Sequence, residues 1–309
     1  MTNDQVFSGT LFSRYRARIA NRLSSSMRKV RTLLGMTIEY RYDKFSIKLP
    51  AEHLLPVFRK SDNLYDRFLP HLSRYLMPQS TVIDVGANCG DTLAAMCESN
   101  SDLRFICVEP DPLFFRFLQT NVQRLEAIYK ETSIVTIRAL VGRQIAEASL
   151  AGSGGTRRAI IGHRDESILS RSLDDILSHC EAASVSLLKS DVDGFDYDVI
   201  DSSDLILRTH MPILYFECQF DCISQKEAFE KTIAGLEEMG YVNWVMFDNF
   251  GETVLRTRDI LTVYQLFDYV WRQCLGRSTR TIGYFDVLAC TAKDSVLIEK
   301  VVDDYIVTR

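Results

Sequence analysis

Residues 81–92 read TVIDVGANCGDT. An apolar run closes on the acid Asp84, and a turn carrying Gly86, Asn88 and Gly90 leads into a stretch with helical spacing. A strand that feeds a glycine-bearing turn and then a helix marks a parallel sheet covered by helices. Such sheets bind their ligands in the crevice at the carboxyl ends of the strands. The two glycines allow backbone angles and close approaches that a Cβ would forbid.

The alternation continues down the chain. The spacing predicts strands at 81–85, 104–109, 134–140, 185–190 and 212–217, with helices at about 91–99, 112–126, 194–207 and 224–239. The stretches YVNWVMFDNFGE (241–252) and IGYFDVLACTA (282–292) read as two more strands able to pair antiparallel. Between them, 259–275 has helical spacing, and 294–306 reads as a further helix. Ahead of the sheet, residues 36–78 begin with a β-ribbon pattern and pass into helical spacing; residues 1–35 read as a basic helix. This divides the chain into 1–35, 36–78 and an α/β domain over 79–309. The Gly-rich stretch AGSGGTRR (151–158) interrupts the third crossover as a lid or a surface hairpin.

Composition excludes several classes. Apolar residues make up 46% and charged residues 25%, enough for a substantial core and too ordered a mix for long disorder. The eight cysteines form no C-x-x-C pair, and Cys89, Cys97, Cys107, Cys218 and Cys290 sit in or beside apolar runs. They read as reduced core thiols of a cytoplasmic protein. No apolar stretch approaches the ~18 residues of a membrane span, and there is no signal-peptide pattern. Residues 1–35 hold seven basic residues against Asp4, a local +6, so a formal net charge of −5 leaves −11 for the rest. The acidic body disfavours nucleic acid. The basic stretch 14–31 packs as a solvated helix or touches an anionic membrane surface or a partner.

The turn discriminates among nucleotides. A dinucleotide fingerprint G-x-G-x-x-G starting at Gly86 meets Asn88 and Asp91 where glycines belong, and a P-loop would need a Lys after Gly90. Asp91 also stands at a helix N-terminus, where the macrodipole otherwise attracts phosphate. The ligand should therefore carry little phosphate and some positive charge, as S-adenosylmethionine does. Candidate contacts are Asp84, Gly86, Ala87, Asn88, Gly90, Asp91 and Thr92 in the first turn, and Leu140 at the end of the third strand. Glu109 and Pro110, in ICVEPDP, end the second strand nineteen residues after Gly90, where an acid meets ribose hydroxyls.

Six stretches taken in order resemble one family: VIDVGANCGDT, EPDP, SLDDIL (172–177), SLLKSDVDGFDYDVI (186–200), PILYFEC (212–218) and YFDVLA (284–289). Together they are similar to the FkbM-type S-adenosylmethionine-dependent methyltransferases. The resemblance implies a class I methyltransferase fold, an α/β architecture with a seven-stranded, mostly parallel sheet and an antiparallel last strand. It also implies methylation of hydroxyl groups on sugars of surface polysaccharides and glycolipids, or on natural products. Where that family usually shows K-x-D-x-E-G, this chain has Lys189, Asp191, Asp193 and Gly194, with the second acid one methylene shorter.

Methyl transfer to an alcohol needs an aligned hydroxyl and a group to take its proton. Asp191 and Asp193 follow the fourth strand and Glu217 ends the fifth, so all three should border the crevice. Asp191 is the first candidate for the base, with Lys189 placed to hold the carboxylates or the substrate. These acids could also gather a divalent metal such as Mg²⁺, a reading less favoured than a metal-free base. His163 in the Gly-rich insertion is a weaker base, and Asp174 and Asp175 suit a helix cap better than catalysis. No [ND]-P-P-[YF] stretch suggests an amine acceptor, and no Pro-Cys pair suggests attack on a pyrimidine. Two other readings stand beside transfer: a scaffold that keeps the fold without activity, and a nicotinamide oxidoreductase.

Overall fold

The computed structural model describes residues 34, 36–61, 64–143, 147–151, 158–161, 168–178, 180, 184–274 and 282–308. The basic stretch 14–31, His163 and the centre of the Gly-rich stretch (152–157) lie outside them.

The chain opens with a ribbon of β1 (Thr37–Arg41) and β2 (Ser46–Pro50), paired antiparallel, then two short helices, α1 (Leu55–Ser61) and α2 (Phe68–Ser73). The strand–helix alternation follows: β3 (Thr81–Val85), α3 (Asp91–Ser99), β4 (Arg104–Val108), α4 (Pro112–Ile128) and β5 (Ser133–Ile137). After it come β6 (Leu140–Val141), β7 (Glu147–Ala151), β8 (Arg158–Ile161), β9 (Ile168–Arg171) and α5 (Leu173–Leu177). The second half runs β10 (Val185–Ser190), α6 (Asp196–Asp201), α7 (Asp204–His210), β11 (Ile213–Cys218) and α8 (Ile223–Glu238). It continues through β12 (Tyr241–Asp248), β13 (Thr253–Thr257), α9 (Ile260–Cys274), β14 (Phe285–Thr291) and α10 (Ser295–Val307).

The main sheet has the order β13-β12-β14-β11-β10-β3-β4-β5. Strands β5, β4, β3, β10 and β11 are parallel, and β14 inserts antiparallel between β11 and β12. This is the class I methyltransferase fold, widened by an eighth strand. The sequence expectation of seven strands missed β13, which folds back on β12 through a turn at Asp248–Gly251. That turn was readable: Gly251 has φ +86°, and the Asp248 carboxylate accepts the amides of Phe250 and Glu252.

Two other boundaries differ. The third strand leaves the main sheet at Ile137, and Leu140 pairs instead with Ser170 in a side sheet of order β6-β9-β7-β8. The helix expected at 194–207 is two helices. Between them the hydroxyls of Ser202 and Ser203 donate back to the Val199 carbonyl, a bond that competes with continuing the helix.

β3 is buried at every position, as a central parallel strand covered on both faces must be. One face packs against the ribbon and α1–α4 with α10, through Ile47, Leu72, Leu93, Leu118 and Val301. The other packs against α5–α9, through Leu173, Val199, Phe229, Ile233 and Phe267. Cys89, Cys97, Cys107, Cys218 and Cys290 are buried free thiols. Among the described residues no helix is long and apolar enough to cross a membrane.

Candidate active site

The first turn is built from backbone. Gly86 (φ +75°) and Gly90 (φ +81°) take left-handed angles, and a Cβ on Gly86 would lie 2.0 Å from the Asp191 carbonyl oxygen. The turn after β3 and the loop after β10 therefore touch along their main chains. The amides of Gly86 and Ala87 both donate to Val108 O on β4, at 2.9 and 3.1 Å. Gly90 starts α3, and Asp91 occupies its first turn. The Tyr42 hydroxyl donates to the Asp91 carbonyl at 2.8 Å, so the ribbon braces this turn.

Glu109 directly follows β4, with its carboxylate buried. Its Oε2 accepts the Asn88 amide at 2.9 Å and its Oε1 the Asp111 amide at 2.8 Å, clamping the two turns together. Burial pushes this carboxyl up to about 7, against the pull of the two amides. Asp111 accepts the amides of Leu113 and Phe114 and caps α4, with Pro112 in the helix's first turn.

Lys189 and Asp84 face each other across β10 and β3, in register. The ammonium lies 2.9 Å from Asp84 Oδ1 and 3.8 Å from Asp191 Oδ2, and it also donates to the carbonyls of Val85 and Gly86. Asp84 is fully buried and Lys189 nearly so. Burial works against both charges, raising Asp84 and opposing the Lys189 ammonium; Asp84 and Asp191 nevertheless hold that ammonium well above its ordinary value. Both residues are thus engaged with each other inside the sheet: Asp84 as partner of a protein cation, Lys189 as a tie between strand ends. Neither stands as a free group at the surface of the crevice.

The loop Asp191–Gly194 is held by a residue the sequence analysis did not single out. Asp196, wholly buried, accepts the Val192 amide and the Ser190 hydroxyl on Oδ1 and the Gly194 amide on Oδ2. Burial, with repulsion from Asp191, lifts it to about 7. Asp193 takes φ +56° in this loop.

Beside the turn lies a recess of about 60 Å³, roofed by residues 64–69 and the β12–β13 turn. Asp191 and Glu217 line it, and Asp193 does not. Asp191 is exposed there, while Glu217 is 7% exposed and its Oε2 has no hydrogen-bond partner. Burial pushes Glu217 well above the carboxylate range, and repulsion from Asp191 and Asp196 adds to the shift. Three tyrosines and three further acids join them: Tyr65, Tyr215, Tyr284, Asp66, Asp248 and Asp286. Asp286 sits directly opposite Glu217 on β14 and accepts the Tyr215 hydroxyl; burial and Asp191 raise it too. Asp66 rises to about 7 through burial and repulsion from Asp91. YFDVLA offered a signal for Tyr284 and Asp286; nothing near residue 66 announced Asp66, which reaches the recess through tertiary packing. Among the described residues no cluster of three or more His, Cys, Asp or Glu is arranged to hold a metal ion.

Asp174 is a cap, though of a helix other than its own. Its carboxylate accepts the amides of Leu205 and Ile206 at the start of α7, while Ser172 caps α5 through the Asp175 amide.

A family profile described as the methyltransferase FkbM domain matches residues 84–242, more than half of the chain. The chain belongs to the FkbM methyltransferase family. The match spans both the turn after β3 and the loop after β10. Among solved structures, it is similar to the precorrin-6y C5,15-methyltransferase of Geobacter metallireducens GS-15, at 12% identity, over 72% of this chain and 85% of that one, with a TM-score of 0.37. It is also similar to the plantazolicin methyltransferase BamL, crystallised with a triazolic desmethylPZN analog and SAH. There the identity is 8% over 89% of this chain and 98% of that one, with a TM-score of 0.43. No curated protein matches this FkbM-family sequence.

Proposed function

We propose that the protein transfers a methyl group from S-adenosylmethionine to a hydroxyl of a sugar, on a surface polysaccharide or glycolipid, or of a natural product. The observation that carries this reading is the position of Asp191. Its main chain packs on the Gly86 turn and its carboxylate opens into the acid- and tyrosine-lined recess. One residue therefore borders both a nucleoside-type turn and a recess whose polar lining suits a hydroxyl group.

The residues suit the cofactor. Glycine at 86 lets the Asp191 main chain close on the turn, and Asp91 at the start of α3 disfavours phosphate. Each Glu109 oxygen accepts one amide and retains a lone pair for a ribose hydroxyl. Bound there, S-adenosylmethionine supplies an electrophilic methyl on a cationic sulfur. Asp191 takes the proton of the acceptor hydroxyl, and Lys189 keeps the Asp191 loop in place from below. Glu217 and the tyrosines hold the acceptor by hydrogen bonds.

The test is calorimetric titration of the full chain with S-adenosylmethionine and, separately, NAD, followed by methyl transfer to hydroxylated acceptors with and without EDTA. Binding of S-adenosylmethionine alone, with transfer that survives EDTA, supports the proposal. Binding without transfer to any acceptor favours a scaffold, and NAD binding favours an oxidoreductase. Activity lost to EDTA and restored by Mg²⁺ would replace the Asp191 base by a metal.

A further inference from the structure

The recess is unbalanced in charge. Its lining contains Asp66, Asp191, Glu217, Asp248 and Asp286 against Lys189 and Arg67. Lys189 is already paired with Asp84, which lies outside the lining, and Arg67 is exposed. Arg59 supports Asp66 from outside the recess by donating to its carbonyl. Asp248 is engaged with the amides of its own turn, and Asp286 with Tyr215. Glu217 differs from these: it is more than nine-tenths buried, it lines the recess, and its Oε2 has no partner. An unpaired buried carboxyl costs free energy that a ligand can return.

The recess also sits on the side of the site away from the cofactor. It lies over β10, β11, β14 and the β12–β13 turn, whereas the cofactor turns follow β3 and β4. Its acids therefore face the acceptor. Tyr65 and Tyr284 add aromatic rings, whose faces attract cations.

We propose that the recess selects a hydroxylated acceptor that carries a positive charge beside its hydroxyl, as the ammonium of an amino sugar does. Glu217 meets the ammonium, with Asp286 opposite it on β14. The hydroxyl is thereby turned toward Asp191. Burial and repulsion from Asp191 raise both Glu217 and Asp286 in the empty recess, and an entering cation favours their charged forms. This inference rests on the hydroxyl-methylation reading for its geometry, and its test separates the two.

The probes are glucosamine and glucose, which differ by an ammonium in place of a hydroxyl, titrated by NMR into the full chain at pH 6.5. Glucosamine should bind at least ~10-fold tighter, a difference of about 1.4 kcal/mol, and added NaCl should shrink the gap. Glu217→Gln keeps the shape and should abolish most of the preference for glucosamine over glucose. Where Glu217→Gln fails to fold, as read by circular dichroism, Asp286→Asn is measured the same way. Equal binding of the two sugars, or a preference untouched in the folded variant, overturns the proposal. Displacement of glucosamine by Mg²⁺ at lower concentration overturns it in favour of a metal site. Glucosamine preference without transfer to any acceptor would sink the methylation reading and leave the charge reading standing. Transfer to neutral and aminated acceptors at equal efficiency would do the reverse.

Discussion

The carboxyl edge of the sheet has two halves that meet at Asp191. Over β3 and β4 the chain ties its strand ends together: Glu109 accepts two amides, Asp84 pairs with Lys189, and Val108 O takes two more amides. Over β11, Glu217 Oε2 is buried without a partner. The first half is a braced pair of turns; the second is a recess lined by acids. A fixed cofactor needs one rigid seat, whereas an acceptor pocket gains from groups whose charge state answers to what enters.

Changes on either side of Asp191 should separate the halves. The largest effect is expected from Asp191→Asn, which removes the base and keeps the shape. Turnover should fall by about 10²–10⁴ with S-adenosylmethionine affinity unchanged in calorimetry. Near-normal turnover would remove Asp191 from proton transfer. Lys189→Met should destabilise by about 3–5 kcal/mol in urea unfolding, because Asp84 would stay buried without its cation. Adding Asp84→Asn should recover most of that loss, and failure to recover would mean the pair is not the tie described. Glu109→Ala should weaken S-adenosylmethionine by roughly 1.5–3 kcal/mol while acceptor binding persists; equal loss of both would erase the division into halves.

A smaller effect concerns pH. Asp66 and Glu109 are raised to about 7 in the fold, above their ordinary values, so the unfolded chain gives up these protons first. The stability they contribute is complete below the ordinary carboxylate range and is lost as pH rises to about 7. The melting temperature of the ligand-free protein should therefore climb between pH 7.5 and 5.5, and Asp66→Asn should flatten the climb by about 1 kcal/mol. An unchanged slope in that variant would show that the roof of the recess is already compensated. Least of all should follow from deleting residues 1–35, since every proposed cofactor contact begins at Asp84. A folded chain starting at residue 36 that no longer binds S-adenosylmethionine would place that segment in the site.

The turns after β3 and β4 were legible because local rules wrote them. Gly86, Gly90 and Glu109 fall at fixed offsets from two apolar strands, and backbone geometry demands those residue types there. The parallel strands were equally plain, since burial on both faces leaves continuous apolar runs. The lining of the recess was legible only in part. Asp191 and Glu217 follow from strand ends, but Asp66 comes from a connection that no periodicity places, and Tyr215 projects from mid-strand. Asp193 looked equivalent to Asp191 because spacing ignores dihedral angles, and its left-handed φ belongs to the turn. The pairing of Lys189 with Asp84 was not legible, because a single sequence does not show which charges neutralise one another across strands.

The roof of the recess has a consequence for biosynthesis. Residues 64–69 are carried by α2, and α2 is fastened to α10: His71 Nε2 lies 3.1 Å from Val301 O, and Phe68 stacks edge-on against Tyr305. The Tyr305 hydroxyl also donates to Gly251 O in the β12–β13 turn, the other half of the roof. In the order of translation, α10 follows every strand of the sheet. A ribosome-bound chain can thus assemble β3, β4 and Glu109 long before the segment that latches the roof has emerged. The roof over Asp191 and Glu217 is thus the last part of the recess to be fixed in place.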